Sequence, residues 1–296
     1  MRGLAVRHTG VVRLIATDVD GTIVTSDRGV TTRTAAAVTA ARASGVLVAL
    51  VTGRPLRWLT QVVDDLGGVD ALVIANGAIT YRLPSGFVDG TEQLLDRRTI
   101  PTEDVIVWAV RLRGAVPGIA FGLERPGGFG AEPGYEPAVG TPGVAGFSIA
   151  SLPELLAADS EVVKLLARLP MAAVTDERPG DRLLEQARRV LAGLVSPVHA
   201  DSRKPLIELG PPGVDKATGL AFLAESLRIE REEVVVFGDM PNDVSMLTWA
   251  GRGYAMADGH PEAIAAADAI AEPHGADGVA LAIEELLTGR LAGTAP

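Results

Sequence analysis

The chain has no cysteine, which excludes disulfide staples, thiolate nucleophiles and cysteine-ligated zinc together. It also lacks any long apolar run. Stretches such as Val46 to Val51 fall far short of the ~18 residues that a membrane helix needs, and they read as buried strands. The opening residues, Arg2, Arg7 and His8 among them, show neither a sustained apolar segment nor a small-residue cleavage site. No secretory signal is therefore expected, and a cytoplasmic location is. Positive charge is in deficit, with 27 Lys and Arg against 37 Asp and Glu and a net charge of -10. Such a field repels nucleic acid and anionic lipid, so neither nucleic acid nor a membrane is expected as a partner. A small anion is acceptable wherever a local cation neutralises it. Internal repeats and low-complexity tracts are missing too, and oligomeric state is not legible.

What is present is a globular composition: 296 residues, 47% hydrophobic, enough for one large domain or two smaller ones. The first third alternates strand and helix signals. An apolar run from Val11 to Ala16 is followed by an alanine-rich helix pattern, Thr31 to Ala43, stopped at Gly45. A strand at Val46–Val51, a helix from Leu56 to Leu66 opened by Pro55, and a strand at Ala71–Ala75 come next. That βαβαβ order predicts a doubly wound, mostly parallel α/β sheet of Rossmann-like form. The middle differs. Tyr81 to Gln93 reads as a hairpin around Pro84, Thr102 to Arg113 as an amphipathic helix, and the Gly- and Pro-rich piece from Glu124 to Gly146 as loop. Strands are expected at Glu161–Leu169, Leu194–His199 and Pro205–Leu209, with a helix at Asp181–Ala192. After Pro211 the α/β rhythm returns in a helix from Asp215 to Leu227, a strand at Val234–Phe237 and a helix from Pro241 to Ala250. The expected organisation is a core of residues 1–81 and 205–296, interrupted by an α+β insertion at 82–204. The pair Gly251 and Gly253 follows a helix and so lacks the strand-then-helix setting of a dinucleotide fingerprint.

Chemistry gathers at strand ends, which is where open α/β sheets hold ligands. Asp18 and Asp20 stand two residues apart just past the first apolar run, before Gly21. Two carboxylates converging on one space repel unless a cation or shared proton intervenes, so the pair points to a metal-assisted site. Alone, Asp-x-Asp-Gly is also an ordinary strand-ending turn. A calcium loop fits poorly, since its glycine belongs at the sixth position and here is fourth. Company elsewhere strengthens the reading. Gly238-Asp239-Met240-Pro241-Asn242-Asp243 repeats the pattern after a fully apolar strand. Thr52 and Gly53 end another strand, and their hydroxyl and N–H at a helix start would cradle an anion. Lys216 falls in the first turn of a helix, where the macrodipole disfavours a cation but a bound anion would explain one. Hard oxygen ligands without His or Cys indicate magnesium, and phosphate is the obvious anion.

These motifs, together with Val51-Thr-Gly-Arg54, Asn76-Gly-Ala78 and Val214-Asp-Lys216, resemble in order and spacing the haloacid dehalogenase superfamily of phosphohydrolases. The likeness covers nearly the whole chain and extends to the Cof-type branch with a type IIB cap. One departure is Asp215-Lys216-Ala217 where the family commonly has Lys-Gly. The resemblance implies a Mg2+-dependent phosphatase acting on a small phosphorylated metabolite, with 82–204 as its cap. Asp18 would be the nucleophile, giving an aspartyl-phosphate, and Asp20 the general acid and base. Mg2+ would be held by Asp18, the Asp20 carbonyl and Asp239, with Asp243 supporting metal or lysine. Thr52, Gly53, Lys216 and Asn242 would hold the transferring group, and Arg54 would be structural or substrate-facing. A phosphomutase and a non-catalytic phosphoester-binding module are the alternatives.

Overall fold

The computed structural model of the chain describes residues 11–25, 29–84, 91–136, 146–171 and 177–292; Arg2, Arg7, His8 and the turn expected after Pro84 lie outside them. In chain order the first elements are β1 (Leu14–Thr17), α1 (Thr32–Ala43), β2 (Leu47–Val51), a 3-10 turn (Leu56–Trp58), α2 (Thr60–Asp65), β3 (Ala71–Ile74), β4 (Ile79–Arg82) and β5 (Gln93–Arg97). The next are α3 (Thr102–Ala115), β6 (Ala120–Arg125), β7 (Gly128–Ala131), β8 (Ser148–Ile149), α4 (Leu152–Ala158), β9 (Lys164–Arg168), α5 (Pro179–Val190) and β10 (Leu206–Leu209). The last are α6 (Lys216–Ser226), β11 (Val234–Gly238), α7 (Val244–Trp249), β12 (Arg252–Met256), α8 (Pro261–Ala266), β13 (Ala269–Ala271) and α9 (Gly278–Ala292).

Two compact units result, one of Met1–Leu95 with Lys216–Pro296 and one of Asp96–Asp215. In the first, an eight-stranded sheet runs β13-β12-β11-β1-β2-β3-β4-β5. Pairing is parallel from β13 through β3, and β4 turns back antiparallel to β3. The central strands are apolar end to end because both faces are covered. Leu14, Ala16, Val51, Val73, Val234 and Val236 pack with Leu220, Leu223, Met246 and Leu247 of α6 and α7, while the alternating Ile15, Leu50, Leu72 and Val235 are buried on the other side. Helix α1 is capped by Thr31, whose Oγ1 accepts the Thr34 N–H at 3.1 Å, and it lies against α9, to which Arg33 sends two hydrogen bonds at Glu284.

The second unit is a five-stranded sheet, β10-β9-β6-β7-β8. One face is covered by α3, α4 and α5 through Trp108, Leu112, Leu155, Leu183 and Phe121. The other carries a smaller cluster of Phe129, Tyr135 and Leu166 and a buried Lys164–Glu208 ion pair of 2.8 Å. This sheet corrects three expectations. Leu206–Leu209 pairs with β9 rather than re-entering the core sheet, so the compact units part at Leu95 and Lys216, not at 82 and 204. Short apolar runs do not state which sheet they join, and Ile207 and Leu209 fit the Trp108 core. The stretch beginning at Glu124 is partly strand, since β6 and β7 form a hairpin. Two of its glycines serve close packing rather than looseness, because a Cβ on Gly128 would come 2.7 Å from the Gly146 carbonyl oxygen and one on Gly130 2.9 Å from Leu155 Cδ2; residues 137–145 lie outside the described ones. At Leu194–His199, only a single bridge of Val198 to Glu208 forms. Among the described residues no helix is long and apolar enough to cross a membrane.

Candidate active site

Strand order reverses at β1, which has β2 on one side and β11 on the other, so the carboxyl ends of β1 and β11 flank a topological switch point. Asp18 leaves β1 there with its N–H donating to the Phe237 carbonyl at 2.9 Å, and it is buried. Lys216 opens α6, fully buried, and its Nζ donates to Asp18 Oδ1 at 2.6 Å and to Asp243 Oδ1 at 2.5 Å. The two carboxylates offset a helix-dipole penalty of up to ~1 kcal/mol on an ammonium at that end. Asp243 uses its other oxygen, Oδ2, to accept the backbone N–H groups of Asp239 and Met240, both at 2.9 Å. A side chain on Gly238 would place its Cβ 2.5 Å from that of Asp243. Glycine is thus what lets the carboxylate reach back over its own loop.

Asp239, also buried, accepts a hydrogen bond from Thr22 Oγ1 at 3.0 Å. Gly21 stands beside it in the left-handed region at φ 77°, where a Cβ would sit 2.4 Å from Asp239 Oδ2. Asp18, Asp239 and Asp243 each offer an oxygen, all within 4.8 Å of one another. Three carboxylates and one ammonium in a dry space leave surplus negative charge, and the proton affinities show it. Burial, with further contributions from Asp243 and Asp20, pushes Asp18 up to about 7 despite the pull of Lys216. Asp239 is driven well above the carboxylate range by burial, then by Asp243 and Asp18. Burial works to lower the Lys216 pKa, but attraction to Asp18 and Asp243 outweighs it and the lysine is raised. A cluster of hard oxygen donors with this charge fits a divalent cation such as magnesium.

The expected site residues separate into groups. Asp18, Lys216, Asp239 and Asp243 are brought together. Asp20 stands apart, its carboxylate half exposed and gripped by Arg54 through Nε–Oδ2 at 2.7 Å and Nη2–Oδ1 at 2.6 Å. Hydrogen bonding to Asp20 raises the Arg54 pKa against the effect of burial. Arg54 is thus partnered by an acid of this loop cluster, which its position in sequence did not reveal. Thr52 is buried at the end of β2, with its N–H on the Val73 carbonyl at 2.8 Å and its Oγ1 accepting the Arg54 N–H at 3.1 Å. The helix expected from Leu56 to Leu66 is shorter and begins later as α-helix. A three-residue 3-10 turn starts at Leu56 and α2 at Thr60, so any anion held by Thr52 and Gly53 meets loop donors rather than a helix terminus.

Two further residues join the cluster. Thr22 orients Asp239. Asn76 occupies a left-handed run, Ala75 at φ 51°, Asn76 at φ 56° and Gly77 at φ 99°, in which non-glycine residues carry about 1–3 kcal/mol of strain each. Its Oδ1 accepts from Asn242 Nδ2 at 3.3 Å. The signal for Asn76 was the Asn-Gly pair just past an apolar strand.

Known proteins resemble this chain in sequence and fold. The chain is 26% identical over 273 residues to the Bacillus subtilis 5-amino-6-(5-phospho-D-ribitylamino)uracil phosphatase YcsE, covering 92% of this chain and 94% of that one. Its fold matches a solved sugar phosphatase of haloacid dehalogenase subclass IIB, with a TM-score of 0.73, 23% identity, and 93% and 98% of the two chains covered. It also matches a haloacid dehalogenase-like hydrolase from B. subtilis, with a TM-score of 0.75, 23% identity, and 92% and 99% covered. The model of the haloacid dehalogenase-like hydrolases matches residues 15–109 and 155–283, and the chain belongs to that family.

Proposed function

We propose that this protein is a Mg2+-dependent phosphatase of small phosphate monoesters that works through an aspartyl-phosphate on Asp18. The observation that carries the reading is the buried Asp18–Lys216–Asp243 chain, with contacts of 2.6 and 2.5 Å, set beside Asp239 at the switch point. The names of its relatives, a phosphatase of a phosphoribityl compound and a sugar phosphatase, support the same class of reaction.

Asp18, Asp239 and the Asp20 carbonyl are assigned to hold the cation. Bound there, magnesium would offset the surplus negative charge and polarise the phosphoryl oxygens. A carboxylate oxygen of Asp18 attacks phosphorus in line as the ester oxygen departs, and Asp20 gives that oxygen its proton. Asp20 then takes a proton from the water that attacks the acyl phosphate, which releases inorganic phosphate and regenerates Asp18. For either step Asp20 has to leave its grip on Arg54. Lys216, Thr52, Gly53 and Asn242 hold the equatorial oxygens, so charge is met by fixed donors rather than by solvent. Asp243 has both oxygens engaged and acts by holding Lys216 and the Asp239 loop. Residues Asp96–Asp215 are assigned the choice of leaving group.

Purified protein should hydrolyse an aryl phosphate, lose that activity to a chelator and regain it with MgCl2. Asp18→Asn should remove at least about a thousandfold of kcat. No turnover across a broad panel of phosphate esters, or an Asp18→Asn variant at full rate, refutes the reading; isomerised sugar phosphate without free phosphate would make it a mutase.

A further inference from the structure

Asn76 belongs to no group assigned above, yet it joins three of the loops that carry the site. Its N–H donates to the Thr52 carbonyl at 3.0 Å, and the preceding Ala75 N–H donates to the Arg54 carbonyl at 3.3 Å. Its neighbour Gly77 abuts α6, where a Cβ on Gly219 would fall 2.7 Å from the Gly77 Cα, one turn along from Lys216. Its side-chain carbonyl takes one N–H of Asn242. Both asparagines are buried. Backbone strain persists where surroundings over-determine it, and such places cluster at functional sites.

We infer that Asn76 is a positioning residue for anion binding, which it serves by fixing the orientation of the Asn242 carboxamide. An amide group has two N–H donors and one carbonyl acceptor. With one donor committed to Asn76 Oδ1, the other is kept on the Nδ2 end for a phosphoryl oxygen. Asn242 Oδ1 is buried and has no hydrogen-bond partner among the described residues, so no protein donor pins the amide from its other end. Remove the Asn76 carbonyl, and a half-turn of the amide presents oxygen to the anion at little cost. The left-handed backbone is what delivers the side chain to this point. Asparagine and glycine tolerate that region best, and only asparagine also brings the acceptor.

The inference rests on the phosphatase reading, and binding measurements keep the two separable. Wild type, Asn76→Gly, Asn242→Ala and the double variant are compared, with Mg2+ present, for aryl phosphate kinetics, for inorganic phosphate affinity by titration calorimetry and for thermal unfolding. Glycine accepts the backbone and deletes only the carboxamide. Asn76→Gly should weaken phosphate binding roughly three- to tenfold, the net worth of one hydrogen bond. The loss should fall on KM and phosphate affinity rather than on kcat, with the melting temperature at or above that of wild type. In the Asn242→Ala background the same change should have no further effect. Unchanged phosphate affinity in Asn76→Gly, full additivity in the double variant, or a smaller loss in Asn242→Ala than in Asn76→Gly overturns the inference. Should the glycine variant fold poorly, unchanged phosphate affinity in Asn242→Ala overturns the inference by itself. Phosphate binding without turnover in wild type refutes the phosphatase reading alone, and neither binding nor turnover refutes both.

Discussion

Lys216 offers the sharpest test of how the site is held. Replacing it with methionine keeps much of the volume and removes the one cation that lies 2.6 Å from Asp18 and 2.5 Å from Asp243. Deleting one partner of a buried ion pair costs about 3–5 kcal/mol, and here two carboxylates lose their cation at once. The protein has one escape, which is to protonate a carboxylate. Relative to an unfolded Asp, that costs about 1.4 kcal/mol for each pH unit above ~3.9. The penalty is therefore limited to about 1.5 kcal/mol near pH 5 and rises to about 5 kcal/mol near pH 7.5. The sign follows from the native carboxyls binding protons more tightly than the unfolded chain, so stability falls as pH rises. Urea titrations of wild type and Lys216→Met, in a chelator at the two pH values, read the difference. A loss that is the same at both, or smaller than about 1 kcal/mol near neutrality, would mean that the ammonium is not the counterion on which the buried acids depend.

Two further outcomes follow from the same charges. The Asp18 carboxyl titrates at about 7 in the metal-free fold, against ~3.9 for an unperturbed Asp; the metal-free protein should lose stability as pH climbs between those values and level off above them. Added Mg2+ should accordingly raise the melting temperature more near pH 8 than near pH 5, and equal shifts at both would contradict the assignment. Gly21→Ala should lower stability by about 1–3 kcal/mol, because φ is 77° and the new Cβ would meet Asp239 Oδ2 at 2.4 Å. It should also weaken Mg2+ binding measured by calorimetry, whereas unaltered metal affinity would detach Asp239 from the cation.

Most of the parallel core was legible because strands such as Val48–Val51 and Val234–Phe237 are apolar throughout and stop beside a residue type that does chemistry. Position at a strand end is a local property, so Asp18, Thr52, Asp239 and Asp243 could be found one at a time. Partnership is not local. The Arg54–Asp20 pair joins residues 34 apart, and nothing in either neighbourhood states that they meet. The same holds for Asn76 and Asn242, 166 residues apart. In the inserted unit, glycine misled the reading. Gly128 and Gly130 look like loop residues but make room for the Gly146 backbone and for Leu155, which is a tertiary reason invisible along the chain. The region past Gly251 went unread as structure because β12 opens on Arg252-Gly253, and that glycine is required by a Leu247 carbonyl 2.4 Å from its would-be Cβ.

The two-handed hold of Asp243 has a wider consequence. One carboxylate fastens both the lysine that opens α6 and the backbone that carries Asp239, so the spacing between the ammonium and the Asp239 carboxylate is set by a single side chain. Geometry of this kind cannot be adjusted piecemeal: shortening or lengthening that one residue would displace two buried charged groups together. Variation in what such a molecule processes has its easier route through parts that do not share the joint.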